Sequence, residues 1–194
     1  MRKNPWCLAM SGDFSSSLIR HESFRPMSTR FAVRNPTLAD AAVIADFNCR
    51  LARESEGREL SPDIIAAGVL AVLNGHAESE YFLAEVDGRI VGQMMLTREW
   101  SDWRNGWFYW IQSVYVAADC RRQGIFTRLY HEAMTRVGAR SETVGIRLYV
   151  EAHNERARKT YEKLGLLQTG YEVLELPLRR TLPTIVAPTP TQFD

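Results

Sequence analysis

Cysteine is scarce in this chain. The three present, Cys7, Cys49 and Cys120, are widely spaced and odd in number. That usage suits a reducing compartment and argues against a disulfide framework or a cysteine zinc site. An excess of one charge is lacking too: 24 lysines and arginines face 23 acidic residues, for a formal net charge of +1. With no basic stripe beyond Arg121 and Arg122, no nucleic-acid partner is expected. No run approaches the roughly 18 apolar residues of a membrane span, so no membrane partner is expected. Arg2 and Lys3 are followed by no continuous apolar core, because Asp13, a run of serines and His21 interrupt it. A secretory signal is therefore not expected, and the expected location is cytoplasmic. No internal repeat is visible.

What is present is an ordinary globular composition. The 194 residues are 45% hydrophobic and 24% charged, enough for one domain with a sizeable core. Residues 1–29 lack periodicity and end in Pro26, Met27, Ser28 and Thr29. They read as a flexible extension, with Met27 an alternative start. Residues 30–176 carry the domain. Pro177, Pro183, Pro188 and Pro190 make residues 177–194 a proline-rich tail.

Residues 31–34 alternate as a first strand. Thr37, Leu38, Ala39 and Asp40 resemble a capping box, with Asp standing for Glu. The helix they start runs through Ile44 and Phe47 toward Leu51, and polar residues 54–59 interrupt it. Ser61 and Pro62 begin a second helix that Asn74 and Gly75 close. Residues 81–86 and 90–96 are strands joined by the hairpin turn Asp87-Gly88. Residues 99–106 read as a polar, tryptophan-bearing connection. Residues 107–116 form a long strand rich in aromatic and β-branched side chains. Helices over 124–137 and 154–164 follow, with a strand over 144–150 between them and a last strand over 166–176. The order β-α-α-β-β-β-α-β-α-β predicts an α/β fold, a single mixed, mostly antiparallel β-sheet flanked by helices on both faces.

Function is concentrated in residues 114–126. A strand ends at Val116, a short turn carries Arg121, Arg122 and Gly124, and a helix starts behind it. The turn supplies main-chain N–H donors, and the helix end supplies orphan donors and a positive field, which together suit a diphosphate.

The segment Arg121-Arg122-Gln123-Gly124-Ile125-Phe126 resembles the Arg/Gln-x-x-Gly-x-Gly/Ala signature of the GNAT acetyltransferase superfamily, with Phe126 where glycine or alanine is usual. Asn154, Ala157, Tyr161 and Gly165 match a second signature of that superfamily, Asn-x-x-Ala-x-x-x-Tyr-x-x-x-Gly-Phe, with Leu166 for the phenylalanine. Over residues 30–176 the resemblance implies the acyl-CoA N-acyltransferase fold and acetyl-CoA as cofactor. It implies that the backbone of Val114, Tyr115 and Val116 binds the pantetheine arm where two strands splay. It implies diphosphate contacts from Arg121, Arg122, Gln123, Gly124, Ile125 and Phe126, mostly through the main chain. Asn154 would touch the arm, and Tyr161 would protonate the departing thiolate.

Each residue also has a plainer reading. Arg121 and Arg122 are either phosphate clamps or a solvated helix start; a cation is mildly unfavourable there, which favours an anion nearby. Thr127 adds a hydroxyl contact or bonds its own helix. Asn154 caps the last helix through other atoms. Tyr161, nearly two turns on, shares its face, and its plain reading is a packed aromatic. The candidate bases are Glu54, Glu56 and Glu99, with Glu54 first. Glu56 and Glu59 are otherwise exposed carboxylates, and His153 is a loop residue. Alternation sends Trp107 and Tyr109 to one strand face and Trp110 to the other, and leaves Trp100 and Trp103 in the connection. Gln112 and Ser113 are unusual in an apolar strand; they serve the cleft, or Gln112 has a buried partner.

The expected activity is direct acetyl transfer from acetyl-CoA to a primary amine of a small molecule. A protein N-terminus or lysine as acceptor, and a non-catalytic CoA-binding module, are the alternatives. A homodimer is a further expectation, from the aromatic connection.

Overall fold

The computed structural model describes residues 31–151 and 154–176. The expected extension over 1–29, the tail over 177–194 and His153 lie outside the described residues. Five strands form one sheet in the order β1-β2-β3-β4-β5: β1 Phe31–Arg34, β2 Ser79–Val86, β3 Arg89–Ser101, β4 Gly106–Val116 and β5 Thr143–Leu148. All neighbours are antiparallel except β4 and β5, which are parallel. The helices are α1 Ala41–Glu56, α2 Pro62–Leu73, α3 Ile125–Gly138 and α4 Glu155–Lys163. The mixed sheet with helices on both faces is therefore observed.

The two faces have separate cores. Leu129, Ala133 and Val137 of α3 pack on Phe82, Met94, Leu96, Tyr109 and Ile111 of the sheet. On the other face, Ile44 of α1 and Val69 of α2 pack on Tyr81 and Leu83. Trp107 and Tyr109 fall on the α3 face, as alternation requires. Among the described residues, no helix is long and apolar enough to cross a membrane.

Local chemistry accounts for the element ends. The Asp40 carboxylate accepts from Thr37 N at 2.7 Å and holds Arg34 through both oxygens at 2.9 Å, so the capping box also ties β1 to α1. Asp87 and Gly88 carry φ of 50° and 80°, the positive values that a two-residue hairpin turn needs.

Three expectations need correction. Helix α1 continues to Glu56, because its polar residues lie on an exposed side and do not interrupt the helix; Gly57, at φ 63°, ends it. The tryptophan-bearing stretch is mostly strand: β3 runs to Ser101, since Trp100 packs edge-on against Trp107 at 5.0 Å and extends the ladder. Only residues 102–105 turn. No strand forms over 166–176. Its apolar residues include the adjacent pairs Leu166 with Leu167 and Val173 with Leu174, which put apolar side chains on both faces. Among the described residues it pairs with no strand, and residues 167–176 stay irregular and exposed.

Candidate active site

The parallel ladder between β4 and β5 ends at Ile111 opposite Leu148, while β4 continues to Val116. Among the described residues, 112–116 thus have no strand partner on the β5 side. Within them the β3 ladder is broken too. Gln112 pairs with Met95 and Tyr115 with Gln93, so Ser113 and Val114 together oppose one residue. This is a β-bulge, and Ser113 takes a φ of 50° to make it. The extra residue resets the alternation. Before it, Tyr109 and Ile111 face α3; after it, Val114 and Val116 do, while Tyr115 packs on Phe47 of α1 at 4.9 Å.

Beyond β4 the chain passes a short helical turn, Ala118–Cys120, and reaches α3 through Gly124 at φ 79°. Arg122 is also left-handed, at φ 65°. The cap position of α3 is this glycine, and no side-chain cap bond is made there among the described residues. Those amides are orphan donors at the positive end of the helix. The two arginines have different surroundings. Arg121 donates through Nε to Val116 O at 2.8 Å and pairs with Glu54. Arg122 is exposed and makes no ion pair among the described residues. Gln123 turns back to Asp119 O at 3.1 Å, and Thr127 is half-buried in the first turn of α3.

Phe126 packs edge-on against Tyr161 with ring centres 5.8 Å apart, and against Tyr130 at 6.2 Å. Its bulk is thus accommodated between α3 and α4, and does not fill the turn. Burial pushes the Tyr161 phenol above its ordinary value. Asn154 caps α4, its side-chain oxygen accepting from Ala157 N at 3.0 Å.

Glu54, near the end of α1, lies 41% exposed against Arg121 and accepts from the Tyr115 hydroxyl at 2.8 Å. The Arg121 guanidinium holds its carboxyl below the ordinary value. Glu56 pairs with Arg58, and Glu59 with Arg53. Glu99 accepts from Trp110 Nε1 at 2.6 Å and from Arg147 at 3.1 Å. Trp110 stacks on Tyr149 at 4.4 Å, beside the point where β4 and β5 part. Gln112 has a plain partner, Thr97 Oγ1 at 2.9 Å. A cavity of about 650 Å³ lies elsewhere, between β4 and the end of α3, and no expected cofactor residue lines it.

Sequence reading missed Gln93. It is fully buried and bonds Asn48 Oδ1 at 2.7 Å and Ser113 O at 3.3 Å. A glutamine inside the apolar run 91–96 is the same kind of signal that drew attention to Gln112.

The model of the family described as "Acetyltransferase (GNAT) family" matches residues 44–166. No curated protein matches the chain. Among solved structures, a possible acetyltransferase from Clostridium difficile 630 is 41% identical, with a TM-score of 0.72, covering 77% of this chain and 98% of its own. A predicted acetyltransferase with acetyl-CoA from Clostridium acetobutylicum is 19% identical, TM-score 0.64, covering 76% and 96%. A ribosomal-protein-alanine N-acetyltransferase from Brucella melitensis biovar Abortus 2308 is 21% identical, TM-score 0.62, covering 77% and 99%. The last two share the fold.

Proposed function

The chain belongs to the GNAT acetyltransferase family, and we propose that this acetyl-CoA-dependent enzyme acetylates the primary amine of a small molecule directly. The observation that carries the reading is the backbone of residues 112–116, left without a β5 partner beside the uncapped start of α3.

The residues fit the cofactor. First-turn amides of Ile125, Phe126 and Thr127 are donors of the kind a diphosphate takes, with the exposed Arg122 guanidinium nearby. Arg121 acts by holding the turn against Val116 and Glu54. The edge of Val114, Tyr115 and Val116 offers amide partners to the pantetheine arm, and the Asn154 Nδ2 is left over from its cap. Bound acetyl-CoA supplies an activated acyl thioester.

The chain then moves the protons. Glu54, held ionised by Arg121 and open to solvent, takes the ammonium proton through water and passes it to bulk. The Tyr161 hydroxyl, kept protonated by burial, donates to the leaving sulfur. Trp110 and Tyr149 wall the acceptor side with a ring platform beside Glu99. Orientation in one cleft supplies much of the rate.

The test follows thiol release from acetyl-CoA over small amines and over peptides with a free N-terminus or lysine. Release with small amines, and its loss in Tyr161→Phe at unchanged coenzyme A affinity, is the expected result. Turnover of peptides alone replaces the acceptor class. Binding without turnover makes the chain a CoA-binding module, and absence of binding removes the reading.

A further inference from the structure

We infer that Gln93 is a positioning residue for acetyl transfer, its buried carboxamide setting the direction of the Val114 N–H at the β4 bulge. The inference rests on the reaction proposed above. Gln93 is 0% exposed, and its Nε2 donates to two acceptors, Asn48 Oδ1 at 2.7 Å and Ser113 O at 3.3 Å. Two oxygens facing one terminus fix which end of the amide is nitrogen. Asn48 is fixed in turn, donating to Tyr81 Oη at 3.2 Å. A chain of side chains from β2, α1 and β3 therefore ends on one carbonyl of β4.

That carbonyl belongs to the bulge. Among the described residues neither Ser113 nor Val114 has a register partner on β3 or on β5, so the bond from Gln93 is the side-chain contact that holds the peptide between them. The described chain has no cis bonds, and in a trans peptide the C=O and N–H point in opposite directions. With Ser113 O drawn to Gln93, the Val114 N–H is turned away from β3, toward the side that β5 has left. An N–H aimed there is placed to polarise a thioester carbonyl lying along that edge.

The Gln93 Oε1 has no hydrogen-bond partner among the described residues, although it is buried. A buried acceptor that no protein donor meets is unusual inside a packed sheet and singles this residue out.

The experiment compares Gln93→Leu, Gln93→Met and Asn48→Leu with the wild type. In the Gln93 variants kcat falls about ten- to a hundredfold, while the KM for acetyl-CoA stays within about twofold, because only stabilisation of developing charge is lost. Asn48→Leu has a smaller effect, and Gln93→Leu/Asn48→Leu is no worse than Gln93→Leu, since both act through one amide. Without any ligand, the amide NMR shift of Val114 moves in the Gln93 variants and those of α3 do not. The inference is overturned if kcat is unchanged, if KM alone rises, if activity falls only in step with the melting temperature, or if the Val114 amide does not move. A wild type that releases no thiol with any amine or peptide overturns the proposed function as well, whereas an active wild type matched by its Gln93 variants overturns this inference alone.

Discussion

Replacing Phe126 by alanine restores a residue usual at the end of the family's turn, yet it should weaken the protein. The ring is half-buried against the α3 core and meets Tyr161 edge-on at 5.8 Å. Truncating a fully buried phenylalanine costs about 3–5 kcal/mol, so half-burial leaves about 2 kcal/mol. The ring pair adds about 0.5–1.5 kcal/mol, and alanine's better helix propensity returns about 0.5 kcal/mol. The net loss is about 2–3 kcal/mol. The diphosphate donors are main-chain groups, so coenzyme A affinity should stay within about threefold. Tyr161 loses the ring that fixes it, and kcat should fall about tenfold. Urea unfolding, calorimetric titration with coenzyme A and thiol release measure the three quantities separately. A variant as stable as the wild type would refute the packing argument. A variant that binds coenzyme A ten times more tightly would mean that Phe126 obstructs the turn.

Four further outcomes are expected. Tyr161→Phe lowers kcat by roughly a hundredfold or more, and removes an alkaline limb that in the wild type lies above about pH 10. The sign follows from burial: the raised phenol keeps its proton in the fold, so its stabilising effect is whole below about pH 10 and fades as pH rises through the raised value, which a pH series of melting curves checks. Asp40→Asn breaks the paired contact with Arg34 and weakens the cap, costing about 2 kcal/mol at neutral pH. Arg34 holds the Asp40 carboxyl far below its ordinary value, so this contribution is present above about pH 4 and lost only as pH falls toward the lowered value; acid unfolding curves of the variant lack that dependence. Glu54→Gln lowers kcat while the melting temperature moves little, because its pair with Arg121 is partly exposed and the amide oxygen still accepts from Arg121 and Tyr115; unchanged kcat over the full pH range removes Glu54 as the proton acceptor. Trp103, 85% exposed at the β3–β4 turn, and the neighbouring Trp100 motivate a dimer contact, and sedimentation showing only monomer at micromolar concentration rejects it.

Sequence reading succeeded where the signal is local. Ser61 with Pro62 marks the start of α2, Asp87 with Gly88 marks the hairpin, and the apolar spacing of Ile125, Leu129, Ala133, Met134 and Val137 marks α3, all but Met134 of these being buried. It failed where a distant residue decides. The ladder from Arg98 to Ser101 depends on partners across the turn, with Arg98 over the Trp107 ring at 4.3 Å and Trp100 against the same side chain. The partner of Arg121 is 67 positions away on α1. Residues 166–176 show the converse: strand-forming side chains alone do not make a strand, and among the described residues this segment does not join the free edge of β5.

The site adds a stricter limit. Its proposed contacts are mostly main-chain groups, and what makes them available is missing pairing, which no residue type spells. Ser113 is not a glycine, so its left-handed φ of 50° gives no warning in the sequence. The bulge is instead supported from outside β4, by Gln93 on β3. The β5 register has ended at Ile111, so that bend has no strand partner on this side among the described residues. A signature such as Arg121–Phe126 therefore locates the turn and the helix start, while the reactive position is set by a side chain outside both family signatures. Conserving the turn alone would preserve coenzyme A binding. Preserving turnover requires the support behind the bulge as well, so the two properties should separate under mutation at residue 93.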